Sequence, residues 1–394
     1  MSNDIYIIDG ARTAIGTFGG ALASQKPTAL ATHVTKEAIK RSGIDAADIG
    51  HVVFGHVINT EPRDMYLSRV AAIEAGIPEQ TPALTVNRLC GSGAQAIVSA
   101  AQHLMLGDTD VAIAGGSEVM SQSPHAVSSA RFGQKMGAAT MVDMMVGALS
   151  DPFGAGHMGV TAENVAAEYA IDRSQQDEFA AESQRRALSA IEAGYFKSQI
   201  VPVDVRVRRD TVTFDTDEHP KTGTTVASLG SLRAAFQKDG TVTAGNASGI
   251  NDGAAAMVLA NTAAVERHGL KPRVKLLGYA HAGVRADIMG IGPVPAVTKL
   301  MEKLGMTHSQ FDVIESNEAF AAQACAVNKQ LGLDTDKVNP NGGAIALGHP
   351  VGATGSIVTL KAMYELERID AQFGLITMCI GGGQGIALAI ERIH

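Results

Sequence analysis

The sequence predicts an α/β protein of two similar layered halves around an inserted segment, and three observations carry that expectation. Strand-like and helix-like runs alternate through the first 120 residues and again from 273 to 380. The composition changes between 121 and 247. Finally, Val86-Asn87 leads through a glycine-rich turn and a helix to Val111-Ala112-Ile113-Ala114-Gly115-Gly116, and Val338-Asn339 leads in the same way to Met378-Cys379-Ile380-Gly381-Gly382, which reads as a weak internal duplication packed face to face.

In chain order, 5–9 is strand-like, 27–41 has the apolar spacing of an amphipathic helix, 52–57 is a strand and 64–75 a helix. A strand at 83–89, a helix at 91–106 and a strand at 111–114 complete the first half. Such alternation argues for a largely parallel sheet. In the second half, 273–277 reads as strand, 294–304 as helix, 313–315 as strand, 318–331 and 353–366 as helices, and 375–380 as strand. Between the halves Met141, Met144 and Met145 cluster, polar helices follow, and a hairpin-like stretch runs from 200 to 214. Ser174-Gln175-Gln176-Asp177 reads as a helix start, a capping side chain ahead of an acidic residue that suits the positive end of the dipole. Arg206, Arg208 and Arg209 read as the wet face of a strand. The expected domains are 1–120 with 248–271, the insertion 121–247, and 272–394.

A chain of 394 residues can form two or three domains of about 150 residues each and bury a full core. Its three cysteines are too far apart for a disulfide framework, and nothing ahead of Asp4-Ile5-Tyr6-Ile7-Ile8 resembles a targeting peptide, so a reducing cytoplasm is expected. No apolar run reaches the roughly 18 residues that span a bilayer, and Glu391-Arg392-Ile393-His394 is not a peroxisomal address. The net charge of -8 disfavours broad nucleic-acid binding. With 43 glycines, tight turns should abound.

Cys325, in Ala321-Ala322-Gln323-Ala324-Cys325-Ala326-Val327, reads as core. Cys90 is different. It stands between a strand and a helix in Asn87-Arg88-Leu89-Cys90-Gly91-Ser92-Gly93, where free amides and the helix dipole favour a thiolate. His349 is presented by turns in Gly348-His349-Pro350, which suits proton transfer. Cys379 ends an apolar strand and opens Gly381-Gly382-Gly383, so its sulfur can face a cavity while amides supply donors. A Cys90–Cys379 disulfide and a zinc site with His349 are competing readings, and neither has its usual local spacing. Asn317, in Asn317-Glu318-Ala319-Phe320, reads as an N-cap that could also hold a water.

At these four places together the sequence resembles the thiolase family, whose motifs Asn-Arg-Leu-Cys-Gly-Ser-Gly, Asn-Glu-Ala-Phe, Gly-His-Pro and Cys-Ile-Gly-Gly-Gly all occur here in family order. The resemblance runs from Gly10-Ala11-Arg12-Thr13 through Gly245-Asn246-Ala247-Ser248-Gly249 to the final strand. It is nearest to bacterial acetyl-CoA acetyltransferases and short-chain β-ketothiolases, including Glu61-Pro62-Arg63-Asp64-Met65-Tyr66 and Phe214-Asp215-Thr216-Asp217-Glu218-His219. It implies a duplicated α/β/α layered fold with mixed five-stranded sheets and an inserted loop domain.

The implied reaction is condensation of two acyl-CoA molecules to a 3-ketoacyl-CoA (acetoacetyl-CoA) plus CoA, and the reverse thiolysis, through an acyl-cysteine. Cys90 would be the acylated nucleophile, His349 would accept its proton, and Cys379 would remove the α-proton of the second thioester. The enolate oxygen would face His349 and a water held by Asn317, and the tetrahedral intermediate would face the amides of Cys90 and Gly381. Ser248 would contact the pantetheine, with Leu149, His157, Met158 and Phe320 beside it. Met158 and Met289 would shape the acyl pocket, and Ser228 and Lys221 would lie toward the nucleotide. Relatives commonly carry arginine at position 221, and lysine keeps the charge but loses the planar fork. Ser316 stands where many relatives have alanine.

The family needs no cofactor or metal beyond its substrates acetyl-CoA, acetoacetyl-CoA and CoA. It has no nucleic-acid or membrane partner, serves fatty acid metabolism, and forms dimers and homotetramers, with 122–146 as the tetramer contact. A ketoacyl synthase-like enzyme would lack Cys379 and carry histidine at position 317. A non-catalytic acyl-CoA or lipid-binding relative would lack Cys90, Asn317 or His349.

Overall fold

The computed structural model describes residues 4–393, so residues 1–3 and His394, the last of the C-terminal residues read above, lie outside the described residues. Strand β1 (Ile5–Arg12) leads to α1 (Pro27–Ser42), which opens on a proline that has no N–H to leave unpaired and stops at Gly43, left-handed at φ 72°. Then follow β2 (His51–Gly55), α2 (Leu67–Glu74), β3 (Ala83–Val86), α3 (Ser92–Leu106) and β4 (Val111–Val119). The inserted segment carries α4 (Met158–Glu168) and α5 (Arg173–Glu192). After it come β5 (Asn251–Asn261), β6 (Val274–Gly283), α6 (Pro293–Leu304), β7 (Val313–Ser316), α7 (Ala321–Leu331), α8 (Thr354–Arg368), β8 (Phe373–Ile380) and β9 (Gln384–Arg392).

These strands lie in one ten-stranded sheet, in the order β7-β8-β9-β6-β1-β5-β4-β2-β3, with the short Gly16–Thr17 strand beside β5. In the first half β2 runs parallel to β3 and β4, while β5 is antiparallel to β4 and β1. The second half repeats the pattern: β7 is parallel to β8 and bridges Val338, while β9 is antiparallel to β8 and β6. The duplication is therefore written in the hydrogen bonding. The halves meet where β1 pairs β6, Ile5 opposite Leu276, Tyr6 opposite Lys275 and Ile7 opposite Val274.

The expectation of a largely parallel sheet is corrected by β5 and β9. The three-residue turn 381–383 is too short for a parallel crossover and returns β9 antiparallel. The alanine-rich β5 has little β-branched character, and the sequence reading passed over it.

Burial explains the layers. Along β4, Val111 and Ile113 enter one apolar cluster with Leu30 and Val34 of α1, while Ala112 and Ala114 enter another with Ile97 and Leu104 of α3. That second cluster also holds Ile357, Leu360 and Met363 of α8, and both α3 and α8 touch strands of both halves. The halves thus face each other across a shared pair of helices, with α1 and α2 outside one and α6 outside the other.

The insertion is tied down by charge. Arg12 donates to both carboxylate oxygens of Asp217 at 2.8 and 2.9 Å, and to Gln199 at 2.8 Å, with both charged side chains fully buried. The helix expected from Ser174 starts at Arg173 and is capped by Asp172, which accepts from the Gln175 amide at 2.9 Å while Gln175 returns the bond. The hairpin is Val203–Val207 with Asp210–Phe214, and Arg206, Arg208 and Arg209 are exposed on it. Among the described residues no helix is long and apolar enough to cross a membrane.

Candidate active site

Cys90 stands in a short connection locked by its own side chains. Ser92 Oγ accepts from the Arg88 amide at 2.8 Å and donates to the Leu89 carbonyl at 2.7 Å, and Asn87 Oδ1 accepts from the Leu89 amide at 2.9 Å. These bonds hold Leu89 at φ 46°, a left-handed conformation that a leucine avoids without such support. An ideal Cβ on Gly91 would lie 2.6 Å from Ile380 Cδ1. The bare glycine lets the Ile380 side chain at the end of β8 lie against the start of α3, close to where Cys90 and Cys379 come together.

The expectation of a thiolate at Cys90 is overturned. Burial pushes the thiol up, the amides of Gly381 and Cys90 itself pull against it, and the charge of Glu118 adds to the rise. These are the two amides that the family resemblance assigns to the oxyanion, and loss of water outweighs their pull on the thiol. Cys90 is a thiol at rest and needs a base.

His349 has the properties of that base. Its amide donates to Asn251 Oδ1 at 2.9 Å, and Nδ1 lies 2.7 Å from Thr354 Oγ1. Burial lowers its pKa to about 4, so the ring is neutral near pH 7. Asn317 is not the N-cap expected, because α7 begins at Ala321 and is capped at Phe320 without a side-chain bond. Its amide turns inward instead, with Nδ2 3.5 Å from His349 Nε2 and Oδ1 buried without a protein partner.

Cys379 is fully buried at the end of β8, and burial together with the nearness of Cys90 pushes its thiol far up. It packs in an apolar cluster with Met158, Met289 and Phe320. Cys325 is partly exposed on α7, and burial of its sulfur pushes the thiol up to about 12, which makes it inert.

Cys90 and His349 open together into a cavity of 360 Å³. Leu149, Met158, Met289 and Phe320 supply much of its apolar lining, and His157 and Ser248 complete the set expected there. His157 caps α4 by accepting from the Gly159 amide at 3.1 Å and stacks on Phe236 at 4.9 Å, a wall residue that no motif announced. Lys221 and Ser228 are exposed and do not line the cavity, and the Ser228 hydroxyl already serves a capping box with Thr225. Thr354 and Asn251 were missed because their role lies in what they hold. Among the described residues no group of three or more His, Cys, Asp or Glu side chains gathers as a metal site.

A nucleophilic thiol, a neutral imidazole and paired amides around an apolar chamber define an enzyme that passes an acyl group through a cysteine thioester. The comparisons agree. The family described as "Thiolase, N-terminal domain" matches residues 5–263 and "Thiolase, C-terminal domain" matches residues 270–392, so the chain belongs to the thiolase family. It is 60% identical over 394 residues to a protein named beta-ketothiolase BktB from Cupriavidus necator, covering 100% of both chains. It is 49% identical over 395 residues to an acetyl-CoA acetyltransferase from Thiocystis violacea, again covering 100% of both. The structure matches a Bacillus anthracis acetyl-CoA acetyltransferase with a TM-score of 0.97 at 45% identity, covering 99% of each chain. It matches human mitochondrial 3-ketoacyl-CoA thiolase in complex with CoA at 0.96 and 40% identity, covering 100% of this chain and 98% of the other.

Proposed function

We propose that the protein condenses two acetyl-CoA molecules to acetoacetyl-CoA and CoA, and runs the reverse thiolysis, with Cys90, His349, Cys379 and Asn317 as its reacting groups. Cys90 gives its proton to His349 and attacks the first thioester, so the carbonyl carbon bonds to sulfur and CoA leaves as the thiol. Cys379 gives its own proton to the departing CoA and then, as a thiolate, takes the α-proton of the second thioester, while His349 returns its proton to Cys90 when that sulfur is released. The resulting enolate, its oxygen facing His349 and a water on Asn317, attacks the acyl-cysteine; a carbon–carbon bond forms and the Cys90–carbon bond breaks. The amides of Cys90 and Gly381 receive the tetrahedral oxyanion, and each such donor is worth about 3–4 kcal/mol in the barrier.

The single observation that carries this reading is the shared cavity wall of Cys90 and His349, with Cys379 close enough for Cys90 to raise its pKa. Met158 and Met289 bound the acyl end, and Leu149, His157, Ser248 and Phe320 flank the pantetheine. Lys221 and Ser228 serve the nucleotide, whose charge suits their exposed position. No further cofactor or metal takes part. The insertion 121–247 carries Leu149, His157, Met158, Lys221 and Ser228 between the halves 1–120 with 248–271, which adds Ser248, and 272–394, which adds Met289 and Phe320. It also supplies the tetramer contact, which the exposed Phe132, Met136 and Met141 support. The homotetramer works in a reducing cytoplasm on short fatty acyl units, consistent with free Cys90 and Cys379.

Purified protein given acetoacetyl-CoA and CoA should form acetyl-CoA as the substrate disappears. Absence of thiolysis with every short 3-ketoacyl-CoA sinks the reading, and light scattering that shows a monomer sinks the assembly.

A further inference from the structure

His349 stands between two local anchors: Gly348, at φ 105°, donates to the Ala344 carbonyl at 2.9 Å, and the Pro350 carbonyl accepts from the Ala353 and Thr354 amides at 2.9 and 3.0 Å. The amide of His349 itself is held by a residue remote in sequence. Thr354 fixes the ring, and Glu118 accepts the Gly352 amide at 3.0 Å just beyond it. The backbone at His349 itself is held by Asn251, fully buried at the start of β5, whose Oδ1 accepts the His349 amide at 2.9 Å. Nδ2 of the same side chain donates to the Gly16 carbonyl at 3.0 Å and lies 3.3 Å from His219 Nδ1. A backbone N–H can only donate and a carbonyl can only accept, so these bonds allow one orientation of the Asn251 amide. An ideal Cβ would lie 2.4 Å from Asn251 Cγ at Gly348 and 2.7 Å from Oδ1 at Gly249. Two glycines therefore close over this one amide, and segments distant in sequence meet on it.

We infer that Asn251 is a positioning residue for acyl transfer: by gripping the His349 amide it sets the distance between the imidazole and Cys90. The inference rests on the roles proposed above for those two residues. Asn251 does not line the substrate cavity, so its effect should fall on rate and leave binding alone. A misplacement of about 1 Å costs on the order of 100-fold in rate, which sets the size of the effect.

The test uses the full-length protein, with acetyl transfer from acetyl-CoA to Cys90 followed by rapid-quench mass spectrometry. Asn251→Ala should acylate about 30- to 100-fold more slowly with KM within about threefold of the parent. In Asn251→Asp the protonated acid copies both bonds, since its carbonyl accepts and its hydroxyl donates to Gly16. Its rate should therefore fall as pH rises and the acid ionises, giving a limb that the parent lacks. Loss of stability alone would not create that limb, and Asn251→Asp carries the test if Asn251→Ala fails to fold. Parental acylation in Asn251→Ala, a rise in KM that accounts for the whole loss, or a parental pH profile in Asn251→Asp overturns the inference. A parent protein that takes up no acetyl group overturns the proposed chemistry itself, and the inference with it.

Discussion

Thr354 Oγ1 lies 2.7 Å from His349 Nδ1 and gives its own proton to the Pro350 carbonyl at 2.9 Å. A hydroxyl has one hydrogen, so toward the imidazole it accepts. The histidine therefore keeps its proton on Nδ1 and turns a lone pair on Nε2 toward the reacting groups.

Thr354→Ala leaves that N–H buried and unpaired, at a cost of about 1–3 kcal/mol. Acylation of Cys90 should slow by about 5- to 150-fold at that cost, while Thr354→Ser stays near the parent. A parental rate in Thr354→Ala, read by the same mass-spectrometric transfer, would free His349 of this dependence.

The roles proposed for Cys90 and Cys379 should separate the half-reactions. Cys90→Ala should carry no acetyl group after exposure to acetyl-CoA; Cys379→Ala should be acetylated yet exchange no α-proton of a second thioester with deuterated water. Because Cys90 is a thiol at rest, its alkylation by iodoacetamide should still climb with pH where an ordinary thiol of pKa about 8.5 would be levelling off. A plateau near pH 7 would restore the resting thiolate.

His349 must be neutral to accept a proton, and its pKa of about 4 leaves it so across the physiological range. The acid limb of kcat/KM assigned to it should lie near pH 4, well below the unperturbed 6.5. His219 and His281 are also lowered to about 4 by burial. With all three depressed, the unfolded chain binds more protons between about pH 6.5 and pH 4. The stability they contribute is complete above about 6.5 and is lost as pH falls toward 4. Asp252 and Glu315, pushed up to about 6 and about 7 by burial, act in the opposite sense, so the histidine part is read from His281→Gln, whose urea midpoint should fall less (or rise more) from pH 7 to pH 5 than the parent's; an identical change in both proteins would contradict the assignment.

Asp217→Ala strands the buried Arg12 guanidinium. Breaking such a pair from one side costs about 3–5 kcal/mol, which a urea titration should register as a lower midpoint. A variant within about 1 kcal/mol of the parent, the scale of a surface pair, would show that water reaches Arg12.

What was legible in the sequence was local. Cys90, His349, Cys379 and Asn317 could be singled out because glycines, a proline and a helix start lie within a few residues of each. The repeat was visible as Val86-Asn87 and Val338-Asn339, and Leu89 and Asn339 are both left-handed, at φ 46° and 45°. What escaped depends on contacts remote in sequence. β5 was passed over because its alanines fit a central strand only when both faces are covered. The Cys90 thiol was misjudged because the helix start is written in neighbouring residues while burial is not. Nothing in the structure explains serine at position 316.

The pairing of α3 with α8 bears on how this molecule can be divided. Each helix lies against strands of both halves, so a fragment ending near residue 271 would keep α3 but lose α8, leaving the side of α3 that α8 covers open to water. Such a piece should be recovered in soluble form only when the complementary piece is made beside it.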